Sequence, residues 1–395
     1  MKQALEGIKV LDLTRVLSGP YATMILADMG ADVIKLEQPG KGDDSRQFGP
    51  YVEGESAYFM SLNRNKRSFT MNLKKPEAKE LFLEMIKKVD IVVENFRPGT
   101  MEKLGLGYEV LKEANPKIIY AACSGFGHSG PYSKRAAYDA VVQAMGGLMS
   151  ITGQKDGEPT RVGTSIGDIV AGLFTAIGIL AALNYRKETG IGQKVDVAML
   201  DCQVAILENA ISRYVVTGNV PKPEGNRHPS IVPFEPFDAK DGKVMVAVGN
   251  DVLWEKFCYA IEAEELLEVE EYKTNPSRNE HYEELRPKIA EKMTKKTVKE
   301  WLDILENAGV PNGPINTVDK VLEDPQVLAR NMIVEVEHEV AGKLKIPGVP
   351  IKMSETQGEV KKAAPVLGND TDEIISELLG MNNEEIEQLK QKGIL

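Results

Sequence analysis

One carboxylate stands out by its position in the sequence. Asp168 follows the turn GTSIG at residues 163–167 and precedes an uncharged, mostly apolar stretch at residues 169–185. A helix that begins here would present free backbone N–H groups and its positive dipole end to an anion. On this pattern alone the favoured interpretation is an ordinary N-cap aspartate. The alternative is a functional carboxylate.

Two glycine motifs match other chemistry but lack its structural context. GFGHSG at residues 125–130 fits the dinucleotide pattern G-x-G-x-x-G, yet the following PYSKR shows no periodicity of an opening helix. GTSIG fits the hydrolase pattern G-x-S-x-G around Ser165, but a polar segment stands where that pattern needs a buried strand. We expect a glycine-rich loop at a strand end in the first case and a small packing residue in the second.

The histidines and cysteines form no recognisable metal, disulfide or thiolate site. The four histidines show no i, i+4 pair, so no metal site is predicted. The three cysteines stand isolated in apolar sequence, which indicates a reducing compartment. Cys123 and His128 share one short loop without a third orienting group, so we do not predict a thiolate pair there. The remaining members of the two sets are His228, His281, His338, Cys202 and Cys258.

The overall charge limits the partners. The chain has 395 residues, 48 basic and 59 acidic, and a net charge of -11. This balance argues against binding to nucleic acid or to an anionic membrane, so an anionic ligand would need a local basic patch. The segment from LNRNKRS onward provides one candidate, whose alternative is a solvated basic turn. Its cations are Arg64, Lys66, Arg67, Lys74 and Lys75.

The elements around these residues indicate an α/β fold. IKVLDLT and ADVIKLE read as strands on either side of an apolar-periodic helix opened by SGP, which is the βαβ unit of a parallel sheet. Pro76 suits the first turn of another helix, whose apolar residues 78, 81, 82, 85 and 86 share one face. IVVEN and KIIYAAC supply further strands. Later in the chain VMVAVGN is a short strand, and two amphipathic helices follow it in a smaller α+β region.

The apolar stretch and the two chain ends carry further expectations. Residues 169–185 are at the short limit for a membrane span, and we expect a buried core helix that is apolar all round. The N-terminal sequence shows no export signal, which favours a cytoplasmic location. Near the C-terminus, Asp370 with Glu373 and Asn382 with Glu385 predict two capping boxes, with Gly380 as a helix stop between them.

Longer segments closely resemble the family III CoA-transferases (CaiB/BaiF type, similar to formyl-CoA transferase). The resemblance runs almost end to end. It is carried by GIKVLDLTRVLSGPYATMILADMGADVIKLEQP, LNRNKRSFTMNLK, VDIVVENFRPGTMEKLGLGY, CSGFGHSGPY, YDAVVQAMGGLMSITG, GTSIGDIVAGLFTAIGILAAL, ETGIGQKVDVAMLD, AGVPNGPINTVDKVLEDPQVLARNM and PVLGNDTDEII.

The resemblance implies a site and a mechanism. The aspartate at the position of Asp168 attacks an acyl-CoA thioester, and an aspartyl anhydride and an aspartyl-CoA thioester follow. CoA is then a substrate, and no permanently bound metal or redox cofactor is expected. Tyr138 would border the acyl pocket, and the Gly167 N–H is a candidate donor to the tetrahedral oxyanion. Beside the basic patch, the residues implied to lie along CoA are Arg15, Val16, Leu17, Arg97, Lys103 and Leu104.

The resemblance also implies an architecture. It predicts an interlocked homodimer and a Rossmann-like parallel sheet in a large domain at residues 1–200, completed by a return segment and helices at 330–395. A proline-rich linker at residues 201–225 would lead to the small α+β domain at residues 226–329.

Alternatives stay open for the activity and the substrate. The related α-methylacyl-CoA racemases carry a histidine where this chain has Tyr138, and tyrosine is a poor base at neutral pH, which favours transferase over racemase. A non-enzymatic acyl-CoA-binding protein is the alternative from another class. Formyl-CoA transferases have a run of glycines where this chain has GNRHPSIVPFEPF, which disfavours oxalate or formate as the substrate.

Overall fold

The computed structural model describes residues 2–395, which form two compact units. The large unit contains the residues up to Met149, Arg161–Gly218 and Pro325–Leu395. The small unit contains Ser150–Thr160 and Asn219–Asp324.

Helices and strands alternate through the first half of the chain. The large unit begins with β1 (Lys9–Asp12), α1 (Ser18–Asp28), β2 (Asp32–Glu37), β3 (Tyr51–Val52), β4 (Glu55–Ser56), α2 (Ala57–Leu62), β5 (Lys66–Thr70), α3 (Pro76–Ile86), β6 (Ile91–Glu94), α4 (Thr100–Leu104), α5 (Tyr108–Ala114), β7 (Ile119–Ser124), α6 (Asp139–Met145), α7 (Ile166–Thr189), β8 (Lys194–Ala198), α8 (Met199–Ala205) and α9 (Asn209–Thr217). The small unit contains β9 (Phe234–Asp238), β10 (Lys243–Ala247), α10 (Asp251–Ala260), α11 (Asn275–Glu280), α12 (Tyr282–Met293), α13 (Val298–Asn307), β11 (Asn312–Pro314) and α14 (Val318–Val321). The chain then returns to the large unit with α15 (Pro325–Ala329), β12 (Ile333–His338), β13 (Gly342–Pro347), α16 (Thr371–Leu379) and α17 (Asn383–Gln391).

The large unit is built on a six-stranded parallel sheet. Its strand order is β5-β2-β1-β6-β7-β8, and each neighbouring pair is parallel. The strands are short and rich in Val and Ile, as expected where helices cover both faces of a sheet. In this doubly wound order the chain reverses direction across the sheet between β1 and β6, and ligands bind beside such a switch point at the carboxyl ends of the strands. The predicted Rossmann-like α/β fold is confirmed.

Two apolar cores hold the helices against the sheet. Alternate residues of β1 face opposite sides, so that Leu11 packs in the core with α3 and Val10 in the core with α1. The predicted face of α3 is buried at Ala78, Phe82, Met85 and Ile86. Pro76 occupies the first turn of α3, as predicted.

The C-terminal helices pack on the large unit beside α3 and β5. The capping box of Asn382 and Glu385 is present, and Gly380 ends α16 in the left-handed conformation, as predicted. The predicted capping box at Asp370 is wrong. Its side chain accepts a hydrogen bond from the N–H of Ser68 in the edge strand β5, and none from its own helix.

The predicted linker at residues 201–225 is helical over much of its length. Most of α8 and the whole of α9 lie in it, and α8 packs against α6 and α7 within the large unit. The fading apolar periodicity in the sequence therefore coincides with two short helices, of which α9 buries only Ala210. The irregular, proline-rich part begins only after Thr217.

The small unit has its own core. Its antiparallel sheet has the order β11-β10-β9. Side chains of α10, α12 and α13 pack on this sheet, among them the buried Trp254, Phe257 and Trp301. This confirms the predicted α+β composition of the region.

The helix α7 is only partly buried. One side packs against α1, β7 and β8 through small residues such as Ala171 and Thr175. Large apolar side chains on the other side are exposed in the single chain: Leu173 by 41%, Phe174 by 39% and Ile177 by 58%. Within the single chain the prediction of a helix buried all round is therefore wrong, because a helix laid on a sheet buries one side only.

Candidate active site

A cleft opens at the carboxyl ends of the strands beside the switch point. Its volume is about 350 Å³, and the segments after β1, β2, β5 and β6 form its walls. The cleft is mainly apolar within a polar rim. Its lining residues are Leu13, Thr14, Arg15, Leu36, Glu37, Gln38, Gly42, Asp43, Met71, Asn72, Leu73, Lys74, Phe96, Arg97, Thr100 and Leu104.

Three cations on different segments line this cleft. Arg15 follows β1, Lys74 follows β5 and Arg97 follows β6, and all three residues are exposed. The Arg15 guanidinium lies 4.9 Å from the centre of the Phe96 ring, which also lines the cleft. Leu104 adds apolar surface. Three residues implied by the resemblance, Arg15, Arg97 and Leu104, therefore meet Lys74 of the basic patch in one place.

The remaining implied CoA contacts are distributed differently. Val16 and Leu17 lie on the loop that leads from the cleft to α1, and Leu17 is buried. Lys75 and Lys103 are exposed and do not line the cleft. Lys75 is the N-cap of α3 and Lys103 lies in α4, and both helices begin beside the cleft.

Most of the predicted basic patch is used inside the fold. Lys66 is buried, and its ammonium contacts Asp12 at 3.0 Å and Thr23 and Asn63 at 2.8 Å each. Burial lowers its pKa to about 8. The prediction that Lys66 binds CoA is therefore wrong, because the ammonium has no face left for a phosphate.

Arg64 and Arg67 are likewise paired with carboxylates. Arg64 is buried and contacts Asp28 at 2.7 Å. Arg67 contacts Asp32 at 2.5 Å and Glu377 at 2.9 Å. Neither lines the cleft, and both guanidinium groups are occupied by these ion pairs, so the structure does not support their prediction as CoA contacts.

Asp168 lies inside the first turn of α7, as its third residue. The N-cap is Ser165, and its side chain makes no capping hydrogen bond. The interpretation of Asp168 as an N-cap is therefore wrong. Ser18, the first residue of α1, lies close enough to this carboxylate for its backbone N–H and hydroxyl to lower the Asp168 pKa. The pattern that suggested a cap thus marks a carboxylate directed at a neighbouring helix.

The pKa of Asp168 is raised to about 7. Burial is the main cause, the negative charge of Asp139 adds to it, and the Ser18 hydrogen bonds oppose it. Burial and the Asp168 charge together raise the pKa of Tyr58 to about 12, so its phenol stays neutral near the carboxylate. Asp168 does not itself line the cleft described above. A partly buried carboxyl group with a pKa near neutrality is nevertheless typical of a catalytic residue.

Close contact between α1 and α7 brings Ser18 to Asp168. A Cβ added at Gly172 of α7 would lie 2.7 Å from the Ser18 carbonyl oxygen. Glycine is therefore required at this contact. Behind it, burial raises the pKa of the Cys123 thiol to about 11, which leaves the thiol unreactive at neutral pH.

Asp139 is a site residue that the sequence analysis missed. It is the first residue of α6 and is buried. One carboxylate oxygen accepts the Gly167 N–H at 2.8 Å, and the other accepts the amide of Gln143 at 2.8 Å. The signal available in the sequence was Asp139 directly after Tyr138, with Gln143 four residues later on the same face of a helix. Tyr138 itself is 78% exposed.

The Gly167 N–H is therefore not a free oxyanion donor. Asp139 accepts it, and this pairing fixes α6 against the start of α7. The prediction that this N–H stabilises an oxyanion is wrong for the structure as it stands. Ser18 is the neighbour whose polar groups lower the pKa of Asp168.

Comparison with known proteins agrees with this fold and identifies the family. The model of CoA-transferase family III matches residues 5–371, and the chain belongs to this family. It is 40% identical to human succinyl-CoA:glutarate CoA-transferase over 99% of this chain and 90% of that protein. It is 44% identical to acetyl-CoA:oxalate CoA-transferase of Acetobacter aceti over 89% of this chain and 90% of that protein.

A solved structure supports the same assignment. A CAIB/BAIF family protein from Brucella suis matches with a TM-score of 0.85 and 39% identity, covering 96% of this chain and all of that one. The predicted class of enzyme, a CoA-transferase acting between an acyl-CoA and a free carboxylic acid, is confirmed by these relatives.

Proposed function

We propose that Asp168 is the nucleophile of a CoA transfer that proceeds through covalent aspartyl intermediates. One observation carries this proposal: the carboxylate is partly buried, its pKa is near 7, and the causes of that pKa are burial, the like charge of Asp139 and the nearby Ser18, with no cation among them. A structural aspartate in such a place would be paired with a cation, as Asp12 and Asp28 are. An unpaired, desolvated carboxylate is a stronger nucleophile than a solvated one.

The transfer can be written as two exchanges. A carboxylate oxygen of Asp168 attacks the thioester carbonyl, the C–S bond breaks, and CoA leaves as the thiolate, which gives an acyl-aspartyl anhydride. The thiolate then attacks the aspartyl carbonyl and expels the donor acid as a carboxylate, which leaves CoA as a thioester on Asp168. The acceptor carboxylate reverses both steps, so that it leaves as acyl-CoA and Asp168 is regenerated.

The residues around Asp168 suit these steps. The Ser18 N–H and hydroxyl can hold one oxygen of Asp168 while the other attacks, and can stabilise that oxygen when the aspartyl carbonyl becomes tetrahedral. Packing of α1 on α7 keeps bulk water from the anhydride. Tyr58, with its neutral phenol, is a further donor near the carboxylate and cannot serve as a base at neutral pH.

CoA itself fits the cleft beside the switch point. We propose that Arg15, Lys74 and Arg97 bind its phosphates and that Phe96 and Leu104 contact its apolar parts. The loop of Val16 and Leu17 then leads from the cleft to Ser18 and Asp168, which is the direction the pantetheine arm would take.

We propose dicarboxylic acids of four or five carbons as the substrates, with succinyl-CoA as a donor. The support is the naming of relatives: human succinyl-CoA:glutarate, Haloarcula marismortui succinyl-CoA:mesaconate and Agrobacterium fabrum succinate–glutarate CoA-transferases, at 40%, 43% and 42% identity. The Acetobacter relative acts on oxalate, so oxalate belongs in the test although the sequence disfavours it.

We also propose an interlocked homodimer in the cytoplasm. The large apolar side chains left exposed on α7, together with Val215 and Val216 of α9, which are 73% and 83% exposed, favour a second chain as their cover. The interlocking is the arrangement that the family resemblance implies. The three buried, free cysteines fit a reducing compartment.

The test combines a substrate screen with a labelling experiment. Succinyl-CoA is incubated with a panel of acids including glutarate, mesaconate and oxalate, and the CoA products are read by mass spectrometry. With succinyl-CoA alone, the peptide that contains residue 168 should gain the mass of CoA in the wild type. Asp168→Asn should lose this label and lower transfer by at least about a thousandfold.

Asp201→Asn is the matched control, because Asp201 is also the third residue of its helix, α8, but is exposed. Folding of the Asp168 variant can be checked by its stability. The pKa of Asp168 is raised in the folded protein, so ionisation destabilises the fold as the pH rises from about 4 to about 7, and Asp168→Asn should be at least as stable as wild type at pH 8. Normal transfer by this variant would overturn the proposal. Exchange of an α-proton with deuterated solvent, without an acceptor acid, would indicate a racemase instead.

A further inference from the structure

The loop between β1 and α1 is held in a conformation that its sequence does not favour. Val16 has a φ of 66°, a left-handed backbone conformation that a β-branched residue rarely adopts. Such a conformation is energetically unfavourable and persists only where surrounding contacts impose it. The same loop carries Arg15 into the cleft wall and leads directly to Ser18.

A buried ion pair imposes this conformation. Asp43 accepts the Val16 N–H with both carboxylate oxygens, at 3.0 and 3.3 Å. Lys35 donates to the carbonyl oxygen of Thr14 at 2.8 Å. The Lys35 ammonium and the Asp43 carboxylate lie 2.8 Å apart, and both side chains are at most 1% exposed. The pair therefore holds the two backbone groups that flank Arg15. Lys35 donates to the Thr14 carbonyl oxygen before it, and Asp43 accepts the Val16 N–H after it.

Asp43 is itself firmly placed. Its carboxylate also accepts the N–H and the hydroxyl of Ser45, each at 2.8 Å, and its own N–H donates to Glu37 at 2.9 Å. Burial alone would raise the pKa of Asp43, but the Lys35 ammonium and these hydrogen bonds hold it below its usual value. Asp43 thus remains an anion whose oxygens are turned toward the loop and its own turn.

We propose that Lys35 and Asp43 are positioning residues of the transfer reaction: they hold Val16 in its left-handed conformation, which places Arg15 in the cleft and Ser18 at Asp168. This inference rests on the proposed function of Asp168. The pair acts through the backbone of the loop. Because the φ of Val16 is unfavourable, the loop needs the Lys35–Asp43 ion pair, which we call the clamp, to hold it.

The first test compares two buried aspartates. Asp43→Ala should lower kcat/KM for transfer from succinyl-CoA to glutarate at least about 100-fold, with a higher KM and a lower kcat, since both Arg15 and Ser18 lose their places. Asp43→Asn keeps an acceptor for the Val16 N–H and should retain more activity than Asp43→Ala. Asp28→Asn is the matched control, because Asp28 forms an equally buried ion pair, with Arg64, that does not contact the loop. It should lower thermal stability while leaving kcat and KM within about threefold of wild type.

The second test asks whether the clamp acts on Val16. Glycine adopts a positive φ without strain, so Val16→Gly removes the reason for the clamp. In the Val16→Gly background, Asp43→Ala should cost no more than about tenfold in kcat/KM, compared with at least about 100-fold alone. Equal losses in both backgrounds would overturn the proposal, as would Asp43 variants that behave like Asp28→Asn.

The two proposals fail in distinguishable ways. Absence of a CoA label at residue 168 in the wild type contradicts the aspartyl mechanism. The clamp is still tested by binding of CoA itself in calorimetry, which Asp43→Ala should weaken at least about tenfold because Arg15 leaves the cleft wall. Unchanged CoA affinity in a folded Asp43→Ala protein would contradict the clamp even if the label is present.

Discussion

At the scale of single residues, Asp168 meets two opposing demands. A nucleophile must be ionised, but the anhydride that it forms must be kept dry, and burial makes ionisation harder. The two Ser18 donors lower the pKa of Asp168, while burial and Asp139 raise it to a net value of about 7. The site therefore holds its carboxylate near the point where both forms are populated at neutral pH.

This balance predicts how the reaction depends on pH. Only ionised Asp168 can attack, so the rate of CoA labelling at residue 168 should rise through about pH 7 and level off above it. Asp139→Asn removes a neighbouring negative charge and should move this rise to lower pH. Pre-steady-state labelling between pH 5 and 9, read by mass spectrometry, measures both profiles.

Asp201→Asn serves as the control for the pH experiment, since this exposed residue lies in another helix. Its profile should coincide with that of the wild type. A profile for Asp139→Asn that stays in place, or moves to higher pH, would show that Asp139 does not act on Asp168 through its charge.

At the scale of elements, the site depends on how closely α1 and α7 approach. Gly172 lies at this contact, where an added Cβ would be 2.7 Å from the Ser18 backbone. At Gly178 on the same helix an added Cβ would lie 2.6 Å from a methyl group of Val195, a side chain that can move more readily than a backbone. The two glycines thus allow the same substitution to be compared in one helix.

Gly172→Ala should separate Ser18 from Asp168. We expect kcat to fall at least about tenfold, because the loss of one hydrogen bond to a charged group costs about 1.5–3 kcal/mol. In this variant the rate of CoA labelling at residue 168 should rise at a higher pH than in the wild type, since Ser18 lowers the pKa of Asp168. Steady-state kinetics and the labelling profile measure these effects.

Gly178→Ala should change kcat by less than about threefold, because alanine favours the helix and the Val195 methyl can adjust. Equal losses in the two variants would show that general disturbance of α7, and not its contact with Ser18, controls the reaction.

At the scale of the whole molecule, the exposed apolar side chains of α7 and α9 predict self-association. Light scattering after gel filtration should give twice the chain mass of 43.4 kDa. Ile177, which is 58% exposed, is the point to test, since Ile177→Glu would place a charge in the interface and should give a monomer.

Val110→Glu is the matched control, because Val110 is an apolar residue on α5 with 39% exposure. This variant should remain a dimer. A monomeric wild type, or an Ile177→Glu protein that stays dimeric, would contradict the proposal that the α7 and α9 faces meet a second chain.

Much of the fold could be predicted because its signals are local. The βαβ unit of β1, α1 and β2 follows from a change of apolar period within a short segment, and the Asn382 cap from residues three positions apart. Asp168 could be singled out for the same reason, since its glycine-rich turn and apolar helix are adjacent in sequence. The resemblance to the transferase family then identified Arg15, Arg97 and Leu104. The concentration of cations after LNRNKRS identified Lys74, and all four residues line the cleft.

The sequence by itself thus determined the α/β class, the strand and helix order around the cleft, and the candidate nucleophile. Only the tertiary structure decided which charges are free to act. Lys66 and Arg64 look like a phosphate site in the sequence, but their partners Asp12 and Asp28 are 54 and 36 residues away along the chain. Asp139 likewise reaches the start of α7 across 28 residues. Parallel strands and packed helices bring such distant side chains together. A buried charge must then be neutralised by whichever partner lies within a few ångströms. The order of residues along the chain does not reveal that partner.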